Sequence, residues 1–296
     1  MEKDKDRQQI SLPDGSVFKG VLRDGLFHGK GILRWRDGRK YEGEFLNGMM
    51  HGHGRMEYAS GDVYEGEFKE GQINGEGVYT FVQGARYEGS LKNDQYCGKG
   101  KFLAVDGATY EGHFLDDQYH GTGILITAHG DRYEGEFSRG KVEGTGTWRY
   151  RNGTILSGQF VGGVCHAWGT AELNTGDQYE GEFKDGLWNG QGKFVRANGD
   201  RYEGEFAHGR FHGVGVFQTA NGDKYEGHFA DGEFNGKGVY QYRCGDWYRG
   251  EFRDGQFHGY GIFYSARENS QWEGLWQRSE FVGEIQLSSN SRSWEH

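Results

Sequence analysis

The residues that first suggest chemistry are histidines followed by glycines. The strings HGKG, HGHG, HGTG, HAWG, HGVG and HGYG put His28, His51, His120, His166, His212 and His258 in one recurring context. Metal binding is the chemistry such a set would serve, because imidazole is a common zinc ligand. The spacing argues against it. The histidines recur at 23 residues or multiples of 23, which in a repeating hairpin places them about 9–10 Å apart. Ligands of one zinc must each lie about 2 Å from it. Asn74, Asn189 and Asn235 also take the slot, which suits hydrogen bonding near a turn.

Other sharp readings fail in the same way. HGKG and GKGKF could cradle phosphate, but a phosphate loop needs a helix N-terminus behind it, and no segment of helical period follows. Cys165 beside His166 is the nearest approach to a nucleophile and base, yet successive strand residues face opposite sides. Asn152, Gly153 and Thr154 fit a glycosylation pattern, but the start MEKDKDRQQI lacks the apolar segment of a secretory signal. The expectation is a nonenzymatic chain with no catalytic residue, no cofactor and no metal site.

What positions these residues is a repeat. Taking the aromatic of YEGEF as offset zero, the frame falls on Phe18, Tyr41, Tyr64, Tyr87, Tyr110, Tyr133, Leu156, Tyr179, Tyr202, Tyr225 and Tyr248, at a constant step of 23 residues. Nearly all of the 55 glycines lie at offsets +2, +7, +11, +13 and +20. Linker glycine has no phase, so these are structural. Offsets +7 and +20 close strings such as LNG, KDG, RDG and ANG, which are hairpin turn signals. Each repeat therefore reads as strand A, near −1 to +5, and strand B, near +9 to +17. Parity puts offsets 0, +2 and +4 on one face with +9, +11, +13 and +15. Rings there can lie flat over neighbouring glycines. Glu at +1 and Lys or Arg at +22 line the opposite face.

Composition agrees. One proline and a 16% aromatic content exclude collagen and oppose disorder. A net charge of −10 opposes nucleic-acid binding. Cys97, Cys165 and Cys244 form no disulfide framework. These features predict an intracellular, cytoplasmic setting.

The strings YEGEFLNGMMHGHG, YEGEFKDGLWNGQG and YEGEFAHGRFHGVG resemble MORN repeats (membrane occupation and recognition nexus) over nearly the whole chain. The resemblance implies an all-β fold, an elongated twisted single antiparallel β-sheet meander with a curved groove. It also implies a scaffold in a cytoskeletal, ciliary or flagellar assembly, holding a partner segment in the groove. The kinase or methyltransferase domains carried by some MORN proteins are not expected in this chain. Expected divisions are residues 1–17 as tail and half-repeat cap, 18–270 as eleven repeats, 271–287 as capping repeat and 288–296 as tail.

Tyr96, Tyr119, Trp148, Trp188, Phe211, Phe234 and Phe257 are the expected groove residues for a peptide or helix. Trp272, Trp276 and Phe281 would either cap the sheet or join two copies end to end as a homodimer. A second reading, a membrane-surface adaptor for phosphoinositide head groups, is opposed by the net charge. The seventh repeat stands apart, with Leu156, Ser157, Cys165 and Ala171 at usually larger or charged positions. Its Ala167 replaces the +11 glycine, where a ring is expected to rest, as part of a compensated change in local twist.

Overall fold

The computed structural model describes residues 7–284. Ile285, which replaces the last +13 glycine, the end of the capping repeat and the 288–296 tail lie outside the described residues. The described chain is all strand, 25 in number, here numbered in chain order. It divides into two compact units, the first ending at Arg151 and the second starting at Asn152. The first holds β1 (Gln8–Ser11) to β13 (Lys141–Arg149), and the second β14 (Ile155–Val161) to β25 (Glu280–Gly283). Within each unit the strands form the antiparallel meander that the repeat predicts.

The ninth repeat shows how the sequence builds a hairpin. Strand A is β18 (Arg201–Ala207) and strand B is β19 (Arg210–Gln218). Strand B thus begins one residue before its expected offset. Between them, His208 and Gly209 both adopt positive φ, at 51° and 79°. That matches the right-handed twist of the flanking strands and makes a tight two-residue turn. In the seventh repeat Gly162 and Gly163 hold the same conformation, at 57° and 88°, so the VGG turn loses nothing by lacking Asn or Asp.

The register contains a bulge. Tyr202 pairs with Phe217 and Gly204 with Gly215, but the next partner of Glu205 is His212. Gly213 and Val214 are passed over on that side. They pair normally with β20 (Lys224–Ala230) on the other, Gly213 with Phe229 and Val214 with His228. At the bulge Gly213 has a φ of 56°, and every +11 glycine is likewise left-handed, from Gly29 at 61° to Gly259 at 60°.

This corrects the reading of the three in-strand glycines. Only offsets +2 and +13 lie under the ring. A Cβ on Gly215 would come within 2.5 Å of the Tyr202 hydroxyl oxygen, and one on Gly204 within 2.5 Å of the Gly215 Cα. Offset +11 is glycine for its dihedral angle, since L-residues enter the left-handed region at a cost. Ala167 accordingly has a φ of 58°. Its methyl does not displace a ring, and the expected compensation through ring crowding falls away.

The core of this single layer is a lattice of rings. Tyr202 stacks on Phe211 at 3.9 Å and meets Phe206 and Phe229 edge-on at 5.1 and 4.9 Å. Edge-to-face and offset-stacked contacts are the favoured aromatic geometries. The Tyr202 hydroxyl donates to the carbonyls of Glu205 and His212, at 2.7 and 3.2 Å. His51, His120 and His258 carbonyls accept the equivalent bond. In these repeats it is the main-chain carbonyl of the histidine that serves the tyrosine, whereas in the third repeat, where Asn74 takes the slot, the second acceptor of the Tyr64 hydroxyl is the Glu76 carbonyl at 3.5 Å.

Successive repeats are also tied at their turns. The Gly209 and Gly232 amides donate to the carbonyls of Trp188 and Phe211 one repeat earlier, both at 2.9 Å. At offset +21, Asp62, Asp131, Asp177, Asp200, Asp223 and Asp246 each accept from a backbone N–H about twenty residues on, at 2.8–2.9 Å. The sequence signal for these bonds is the Gly-Asp pair that ends many second turns.

Candidate functional site

The aromatic face is the candidate site, and strand B supplies its outer residues. Tyr96 lies on β9 (Gln95–Leu103) and Tyr119 on β11 (Gln118–Ile126). They stack on Tyr87 and Tyr110, each at 3.7 Å. Trp148 on β13 tilts against Tyr133 at 5.2 Å and stacks with Tyr150 at 5.7 Å. In the second unit, Trp188 on β17 (Leu187–Val195) stacks on Tyr179 at 4.5 Å, and Phe234 on β21 (Glu233–Gln241) on Tyr225 at 3.9 Å. Each of these rings, Trp148 at +15 and the others at +9, is half-buried, as is Phe211. Phe257, on β23 (Gln256–Ser265), stacks on Tyr248 at 3.8 Å and is only 9% exposed.

Of the expected groove residues, the structure brings Phe234 and Phe257 into one open groove of about 530 Å³. Tyr240, Tyr242, Phe252, Phe263, Trp276, Gly255 and Ser279 complete its lining. Tyr240 and Phe263 stand at +15 and Tyr242 at +17. These were missed as site residues, although they share the parity of +9 and +13. Burial raises the Tyr240 hydroxyl to about 12, helped by the neighbouring Asp223 carboxylate. Tyr242 is raised by burial first and then by Asp223 and Asp246. Both hydroxyls therefore stay protonated near neutral pH and can donate hydrogen bonds.

The carboxyl-terminal aromatics divide. Trp276, on β24 (Ser270–Gln277), is 8% exposed and takes the place of the next repeat's +4 phenylalanine. It meets Tyr248 edge-on at 5.4 Å, and its indole N–H donates to the Gly261 carbonyl at 3.1 Å. Trp272 and Phe281 are half-buried, 5.9 Å from Phe263 and 5.2 Å from Trp276. So Trp276 closes the ring lattice and walls the groove.

The opposite face is charged and exposed. Lys40 pairs with Glu42, Arg86 with Glu88, Arg132 with Glu134 and Lys224 with Glu226, at 2.7–2.9 Å. Solvated pairs of this kind contribute little each. Among the described residues no group of three or more His, Cys, Asp or Glu could hold a metal ion, and no helix is long and apolar enough to cross a membrane.

Comparison with known proteins names the class that this geometry defines. The MORN repeat pattern matches ten segments: 18–38, 41–63, 64–86, 87–109, 110–132, 133–155, 179–201, 202–224, 225–246 and 248–269. The chain belongs to the MORN repeat family. The gap at 156–178 is the seventh repeat, whose hairpin is formed by β14 and β15 (Val164–Glu172) all the same. No curated protein sequence matches the chain. Among solved structures, the TCP10 domain of Danio rerio CPAP in complex with a peptide of STIL is 12% identical, with a TM-score of 0.39, covering 81% of this chain and 95% of that one. The SAS-4 (dCPAP) TCP domain of Drosophila melanogaster, in complex with a proline-rich motif of Ana2, is 16% identical at a TM-score of 0.35, covering 60% and 90%. A streptogramin B lyase matches at 0.15 and 13% identity, covering 92% and 83%. Likenesses of this size say nothing of a partner or an activity.

Proposed function

We propose that the protein is a noncatalytic scaffold that holds a segment of a partner protein on its aromatic face, within a cytoskeletal, ciliary or flagellar assembly of the cytoplasm. One observation carries this reading. The outer rings have one side stacked on the sheet's own tyrosines, while no second layer covers their other side among the described residues of either unit. Rigid aromatic rings with one open side are the residues on which partner binding concentrates. The tyrosines beneath them lie in turn on glycine, so the surface is formed before any partner arrives.

The test is capture of partners from the protein's own cells by wild type and by Trp188→Ala, Phe211→Ala and Phe234→Ala, each shown to be folded by circular dichroism. Loss of a specific partner in folded variants supports the reading, and an unchanged set of partners removes it. Sedimentation with vesicles containing or lacking a phosphoinositide runs in parallel. Lipid-dependent binding would replace the partner reading with the membrane one. Microscopy of the tagged protein checks the assembly.

A further inference from the structure

The groove of the second unit has a charged rim as well as an aromatic floor. Asp223 and Asp246 stand at its edge in successive repeats, both half-buried. One carboxylate oxygen of each is held by a backbone N–H, from Arg243 and Ala266, at 2.8 Å. The second oxygen of Asp223 accepts from the Tyr240 hydroxyl, a groove residue, at 3.4 Å. The field of both carboxylates is felt at Tyr242. Neither aspartate has an ion-pair partner among the described residues. The strand cations of these repeats, such as Lys224 and Arg249, lie at offsets −1 and +1 on the opposite face, and Lys224 is paired there with Glu226. Arg243 is the turn cation beside Tyr242; its side-chain methylenes lie 3.8 Å from a Cβ built on Gly222.

A ring, a carboxylate and a cation also meet elsewhere in the molecule, there with the cation at the offset +21 that Asp223 and Asp246 fill and the carboxylate at +19. At the corresponding turn of the first repeat, the Arg39 guanidinium lies over the Trp35 ring, 4.9 Å from its centroid, while its Nε donates to Asp37 at 2.8 Å. Trp35 occupies offset +17, as Tyr242 does. Over Tyr242 there is no such guanidinium among the described residues. A flat ring beside an anchored carboxylate is a favourable seat for a cation. Consecutive repeats are two strand spacings apart, about 9.5–10 Å, and three residues of extended chain span about 10 Å.

We propose that this groove takes an extended basic segment of another protein, with arginine or lysine at every third residue, the cations seated against Asp223 and Asp246 and over Tyr240 and Tyr242. This rests on the scaffold reading above and adds the chemistry of the partner. Charge complementarity selects the segment, and the match between repeat step and residue rise sets its spacing.

Fluorescence anisotropy with labelled peptides of about 12 residues, built on an Arg-Leu-Pro pattern, tests it. Controls of equal length carry Gln or Glu for Arg, or the same residues with the arginines grouped together. Wild type should bind the spaced arginine peptide, more weakly as salt rises, and reject the Glu peptide. Asp223→Asn with Asp246→Asn keeps the backbone hydrogen bonds and removes the charges, and should weaken binding about ten-fold. Equal binding of the Gln peptide, or no effect of the double substitution, overturns the basic assignment. If the Gln peptide then still loses binding with Phe234→Ala, the groove reading survives alone. Failure of every peptide to bind overturns the proposal, while partner capture decides the scaffold reading separately. Equal binding of the grouped-arginine peptide overturns the three-residue spacing.

Discussion

The seventh and ninth repeats fold into the same hairpin from different residues. In the ninth, Tyr202 is 1% exposed, lies over Gly204 and Gly215, and is covered by Phe211. In the seventh, Leu156 is half-buried and the Cys165 sulfur takes the space above the glycines, 3.1 and 3.3 Å from a Cβ built on Gly158 and Gly169. The paired glycines persist in both, Gly158 with Gly169 and Gly204 with Gly215. The bulge persists as well, held by alanine in one and glycine in the other. The hairpin thus tolerates loss of its tyrosine and of one glycine, provided that the left-handed residue and the close Gly–Gly crossing remain.

The largest way to break this comparison is alkaline pH. Nine tyrosines at offset zero are fully buried, and burial raises all of them, Tyr110 and Tyr133 to about 12. A group raised in the folded state stabilises below its unfolded value, here 10.0, and loses that contribution as pH climbs toward the folded value. Denaturation midpoints should be level to pH 9 and fall steeply beyond 10. The seventh hairpin has no such tyrosine, so amide exchange corrected for base catalysis should rise more in β18–β19 than in β14–β15. Equal rises would erase the distinction.

Next in size is the ring's space. Gly215→Ala drives a methyl into the Tyr202 ring and should cost about 3 kcal/mol. Gly158→Ala meets only a sulfur and backbone at 3.1 Å, and should cost about 1 kcal/mol. Urea denaturation followed by circular dichroism ranks the two, and an equal cost would show that the ring is not what excludes a side chain.

Smaller again is the bulge. Ala167→Gly relieves a left-handed alanine and should stabilise by about 1 kcal/mol, while Gly213→Ala should destabilise by about as much. An Ala167→Gly variant no more stable than wild type would show that the dihedral angle is not the constraint. The earlier expectation linked this position to the residue at 156. The structure separates them, so Ala167→Gly should act equally with Leu156 or Tyr at offset zero.

The smallest effect is chemical. Cys165 is 2% exposed and burial pushes its thiol up to about 11. At pH 8 a thiol reagent should modify exposed Cys244 quickly and leave Cys165 unmodified until the protein unfolds. Mass spectrometry of the labelled peptides distinguishes them.

Much of this was legible in the chain because the repeat is strict. A constant step of 23 residues, turn pairs such as Asn47-Gly48, and the parity of Tyr41 with Phe45 determine hairpins, faces and an antiparallel meander from local rules alone. The groove was only partly legible. Phe234 and Phe257 were two of seven expected groove residues, but Tyr240 and Tyr242 join them through packing between repeats, which parity permits and cannot assign. Trp276 was one of three end aromatics in the sequence, and its edge-on contact with Tyr248 arises from the packing of β24 on β23. The sequence by itself determined that glycine is required at fixed offsets. Only the tertiary structure decided why each one is there, because the bulge at +11 and the crossing of +2 with +13 arise from strand pairing, where neighbouring backbones first meet.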